Sequence, residues 1–61
     1  MSQVKLIKDI KDANGGILAT AGTIVNFISD EGDYIIVELA DGSVSFPVDP
    51  DEYTELAETN N

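Results

Sequence analysis

Cysteine, histidine and arginine are all missing from this 61-residue chain. The first two absences remove disulfides and the usual zinc ligands, the staples by which very small domains are commonly held together. Together the three absences take away most of the side chains that carry catalysis. Carboxylate pairs could do acid–base work alone, but a chain this short has little room for a pocket that shifts their pKa values. The expectation is a protein that is not an enzyme, with no catalytic residues and no cofactor. Long apolar runs are missing too. No stretch approaches the ~20 residues of a membrane span, and Met1–Lys11 lacks the pattern of a secretory signal. Lack of cysteine fits a reducing compartment, so a cytoplasmic protein is expected.

Positive charge is the scarcest property. There are three Lys and twelve Asp or Glu, for a net charge of −9. All three bases (Lys5, Lys8 and Lys11) precede Asp12, so residues 12–61 carry eleven acids and no base. Such a surface repels bare nucleic acid and anionic membrane. At its plainest it is a charge that keeps a small protein soluble.

What remains is a β pattern. A chain of this length buries only about 60% of its unfolded surface, so it makes one domain, expected over residues 1–57 with a disordered tail at 58–61. The first strand is expected over 4–10 (VKLIKDI), irregular near Ile7. The sequence Asp12-Ala13-Asn14-Gly15-Gly16 is turn chemistry, and 17–21 reads as a loop or short extended piece. Residues 23–28, 34–39 and 44–48 are rich in β-branched and aromatic residues and bounded by turns, hence strands. Asp41-Gly42 predicts a two-residue type I′ hairpin, which sets Leu39 opposite Val44, Val37 opposite Phe46 and Ile35 opposite Val48. A five-residue loop over 29–33 would align Phe27 with Ile35 and Val25 with Val37. Pro47 lacks an N–H and belongs on an edge strand. Asp49 before Pro50 predicts an N-cap and one helical turn, followed by a short last strand over 54–56.

Strand, long loop, three-strand meander, one helical turn and short strand is an order that resembles the SH3-like small β-barrels, including KOW-type modules and the small photosystem I accessory subunit. Gly22-Thr23-Ile24-Val25, then 34–39, then Asp41-Gly42, then 52–56 carry the resemblance, which covers roughly residues 4–57. It implies an all-β fold, a small SH3-like barrel of about five short antiparallel strands with one helical turn before the last. It leaves function open, because this barrel hosts many unrelated roles. KOW-type modules bind nucleic acid through Lys and Arg in their loops, whereas the corresponding loops here are acidic.

Two candidate surfaces follow. In the expected register Ile24, Ile28, Tyr34, Ile36 and Pro47 share the face opposite the core with Asn26 and Glu38. Either 17–21 and the terminal residues cover that face, or it meets a partner or another copy of the chain. The second surface is the acidic set Asp30, Glu31, Asp33, Asp49, Asp51, Glu52, Glu55 and Glu58, in which the 29–33 loop and the Asp49 corner meet at one end of the meander. The stretches Asp30-Glu31-Gly32-Asp33 and Asp49-Pro50-Asp51-Glu52 offer oxygen ligands without the spacing of an EF-hand loop, so no metal site is expected.

The expected function is an acidic module that docks on a basic protein surface and inhibits or modulates it, with no direct binding of nucleic acid or membrane. A phage-encoded inhibitor that imitates the charge row of DNA would fit this description. The alternatives are an accessory structural subunit using the apolar face around Ile24, Tyr34 and Ile36, a homo-oligomer, and a KOW-like nucleic-acid-associated module.

Overall fold

The computed structural model describes residues 3–56. The tail expected at 58–61, with Glu58, lies outside them. Among the described residues seven short strands form: β1 (Gln3–Leu6), β2 (Ile10–Lys11), β3 (Ile17–Ala19), β4 (Ile24–Asp30), β5 (Ile35–Glu38), β6 (Ser45–Val48) and β7 (Tyr53–Glu55), with a 3₁₀ turn at Pro50–Glu52 just before the last. Five of them make one antiparallel sheet in the order β6-β5-β4-β1-β7, and β2 pairs with β3 in a separate hairpin. The protein is all-β, with a five-stranded sheet whose outer strands β6 and β7 do not bond to each other.

The period-two alternation of each strand explains the core. Val4 and Leu6 of β1 are fully buried while Gln3 and Lys5 between them are exposed. Val25, Ile35, Val37, Phe46 and Val48 join them from β4, β5 and β6. Each such side chain removed from water is worth roughly 1.5–3 kcal/mol. The β2–β3 hairpin closes this cluster. Ile10 and Ala19, which face each other across that pair, are both buried in it.

Several local expectations meet the structure with corrections. The first strand does not run through 4–10. It stops at Leu6, whose N–H donates to the Thr23 carbonyl, and Ile7 turns to donate to the Glu52 carbonyl. The chain then crosses to a different sheet, because Ile10 is needed over the core and Ile7, Lys8 and Asp9 are left exposed. The segment 17–21 supplies a strand at Ile17–Ala19.

The β5–β6 register is the expected one: Ile35 opposite Val48, Ile36 opposite Pro47, Val37 opposite Phe46. Its turn is not type I′. That turn needs positive φ at both central residues, yet among the described residues none but glycine has positive φ, and only Gly42 (φ 75°) does so here. Instead the Gly42 N–H donates to the Leu39 carbonyl, and Asp41 Oδ1 accepts the Ser43 N–H at 2.9 Å. The aspartate side chain supplies the turn bond that a left-handed backbone at Asp41 would have supplied.

The β4–β5 register departs further. Phe27 pairs with Val37 rather than Ile35, and a bulge between Phe27 and Ser29 then sets Ser29 opposite Ile36 and Asp30 opposite Ile35. The five-residue loop is therefore replaced by a tighter connection. Asp30 Oδ1 accepts the Gly32 N–H, the Glu31 N–H donates to the Tyr34 carbonyl, and Gly32 takes φ 96°. An aspartate two residues before a left-handed glycine closes its own turn, and that closure pulls β4 two residues further along β5.

Pro47 sits on β6, the outermost strand. The turn at Pro50–Glu52 follows an extended Asp49, whose N–H donates to Glu52 Oε1 at 2.8 Å while the Glu52 N–H returns to the Asp49 carbonyl. This reciprocal closure delivers Tyr53 opposite Leu6 at the start of β7.

Candidate functional site

The register fixes what lies on the outer face of the meander. Outward positions follow each other at every second residue along a strand, about 7 Å apart, with neighbouring strands about 5 Å away. One row runs Pro47, Ile36, Ser29, with the bulged Ile28 beside Ser29. A second runs Ser45, Glu38, Asn26, Gln3, where Gln3 Nε2 donates to Asn26 Oδ1 at 3.3 Å. A third holds Ile24, Lys5 and Thr54. Beyond the first row, on the same side, stand Tyr34 and Asp49.

The apolar members are only partly covered by the described residues. Ile28 is 47% exposed, Tyr34 37% and Ile24 44%. Pro47 is exposed and Ile36 half-buried. The segment around Ile17–Ala19 goes to the core side and does not fold over this face. Ile24, however, does not join Ile36. The two-residue slide of β4 puts the polar Glu38–Asn26–Gln3 row between them, and Ile28 takes the place beside Ile36 that the expected register gave to others.

The acidic set divides in the same way. Asp30 shares a row with Ile35 and Val48, so the connection carrying Asp30, Glu31 and Asp33 leaves the sheet at the same end as Asp49. All four are exposed. Asp51 lies in the 3₁₀ turn with Lys8 Nζ 3.2 Å from its Oδ2, both well exposed. Such a pair contributes little stability, commonly below about 1 kcal/mol, but it removes one acid from the unneutralised set. Glu52 is half-buried and holds the Asp49 N–H. Glu55 belongs to β7, at the far end of the strand order from β6.

A second role for the acids was not visible in their charge. Asp9 Oδ1 accepts the Ala21 N–H, Asp12 Oδ1 accepts those of Asn14 and Gly16, Asp30 that of Gly32, and Asp41 that of Ser43. Glu31 Oε2 accepts the Ser29 hydroxyl at 2.7 Å. The signal for three of these was present: an aspartate two residues before an N–H that a turn leaves unpaired. The Asp41 carboxyl is held below its ordinary 3.8, first by the Ser43 hydroxyl and then by the Ser43 N–H. Among the described residues, Asp33 makes no side-chain hydrogen bond, which leaves its charge available at the acidic end, while Asp49 and Glu52 close a reciprocal capping box at the 3₁₀ turn.

Among the described residues no group of three or more Asp, Glu, His or Cys is placed to hold a metal ion, and no helix is long and apolar enough to cross a membrane. No protein-family model, curated protein or solved structure matches the chain.

Proposed function

We propose that this is a non-enzymatic, cytoplasmic protein-binding module that docks its acidic end on a basic protein surface and inhibits or modulates that protein. The observation that carries this reading is the convergence of the exposed Asp30, Glu31 and Asp33 with Asp49, on a meander that contains no base. Lys5, Lys8 and Lys11 all lie in or between β1 and β2, where Lys8 meets Asp51, and none stands on the meander. A cleft that normally holds nucleic acid, rich in Lys and Arg, is the kind of surface such an end would compete for. A phage-encoded inhibitor is one setting in which such a protein would serve, and the fold proposed for it is an SH3-like barrel, which by itself leaves the function open.

Exposed charges are screened within about 8 Å at physiological ionic strength. Partner capture from a lysate at low and at high salt is therefore the direct test. Capture that weakens steeply with salt, and that is lost in a variant carrying Glu31→Gln, Asp33→Asn and Asp49→Asn, supports the proposal. Capture indifferent to both refutes it.

One observation favours a second reading, an accessory subunit that completes a larger assembly: the exposed Ile28, Tyr34 and Pro47. Tyr34→Glu abolishes assembly under that reading and spares docking through the acidic end.

A further inference from the structure

The outer face of the meander is ordered in stripes. The apolar stripe Ile28–Ile36–Pro47 crosses three strands, and each flank carries carboxylate: Asp49 with the Glu31–Asp33 turn on one side, Glu38 on the other. Asp49 and Glu38 stand about 7 Å from the stripe, one outward position along the chain from Pro47 and from Ile36. The two-residue slide of β4 along β5 is what brings Ile28 beside Ile36, and the bulge between Phe27 and Ser29 leaves Ile28 as the extra, unpaired residue next to Ser29.

We infer that this face binds a protein segment whose apolar side chains are flanked on both sides by Lys or Arg, with Ile28, Ile36 and Pro47 receiving the apolar side chains and Glu31, Asp49 and Glu38 the bases. The inference rests on the proposed docking role and specifies its partner. Charge complementarity selects the occupant. A second copy of this chain, at a net charge of −9, would bring acids against acids, and like charges brought together oppose association. A purely basic surface would leave the stripe in water, whereas an apolar centre with a charged rim is the usual anatomy of an interface.

The test uses the full chain and two labelled synthetic peptides of equal Lys content, one with a Leu/Ile centre and one with Ser in its place, titrated by fluorescence anisotropy. The apolar-centred peptide binds roughly tenfold tighter, the difference expected when a buried anchor is present. Ile28→Asn, at a position already half exposed, erases that difference, leaves the Ser-centred peptide's affinity unchanged and keeps the cooperative melt of a folded chain. If the two peptides bind alike, with or without Ile28→Asn, the stripe is not used and this inference falls, while acidic docking stands. If neither peptide binds, the docking role falls with it. If the wild-type chain sediments as a dimer that Ile28→Asn dissociates, the stripe belongs to a second copy and the inference is overturned.

Discussion

Two valines in one hairpin separate burial from residue type. Val37 lies in β5 between Phe27 and Phe46 and is fully buried, while Val44, opposite Leu39, is 38% exposed. Val37→Ala deletes two methyl groups at about 0.8 kcal/mol each. The central position in the sheet prevents collapse around the gap and adds a cavity cost of about 1 kcal/mol, for a loss of about 2.5 kcal/mol. Val44→Ala deletes the same atoms from a partly wetted site that can relax, and costs no more than about 1 kcal/mol. A domain of this size has only about 3–9 kcal/mol to lose, at 0.05–0.15 kcal/mol per residue. Urea denaturation followed by circular dichroism reads the difference directly. With a slope near 1 kcal/mol per molar, the midpoint falls by about 2.5 M for Val37→Ala and by about 1 M or less for Val44→Ala. Equal shifts, or a loss below about 1 kcal/mol at Val37, would mean that the sheet's inward side is not the one described.

Two further outcomes follow from the turns. Because the folded Asp41 carboxyl is held below its ordinary value, its contribution to stability is present above the unfolded pKa and is lost as pH falls through the folded one. NMR titration of the Asp41 carboxyl carbon should therefore give a midpoint below 3.8, moving up when Ser43→Ala removes the hydroxyl; a midpoint unaffected by that change refutes the assignment. At Gly32, φ is 96° with open space around the missing Cβ, so Gly32→Ala costs about 1–2 kcal/mol from backbone strain alone. A neutral Gly32→Ala melt would contradict the tight Glu31–Tyr34 connection.

Legibility in the sequence tracked how many constraints acted on each pairing. Between β5 and β6 the alternation of Ile35 and Val37 with Phe46 and Val48, and the edge demand of Pro47, all required one register, and that register is the one found. Between β4 and β5 the pattern was degenerate. Phe27 and Ile28 are both apolar, so alternation alone could not place the bulge, and a slide of two residues keeps the same side chains inward. What decided it was the Asp30–Gly32 turn bond, a local hydrogen bond that hydrophobic patterning does not register. The error propagated to the candidate site. Convergence of the acidic turn with Asp49 survives a two-residue slide, whereas the grouping of Ile24 with Ile36 does not. The split first strand was hidden for a different reason: Val4, Leu6 and Ile10 are all buried, and sequence does not say that they are reached from two sheets.

The placement of Pro47 bears on how the molecule behaves in crowded solution. The bond from the Leu39 N–H to the Val44 carbonyl fixes which residues of β6 turn their backbone inward toward β5. By alternation, Ser45 and Pro47 turn theirs outward. Since proline has no hydrogen to give, the rim from Ser45 to Val48 offers a stranger's strand a single donor. At this edge a chain so rich in β-forming residues thus carries its own stop against growing edge to edge into fibrils, built from a ring closure rather than from charge.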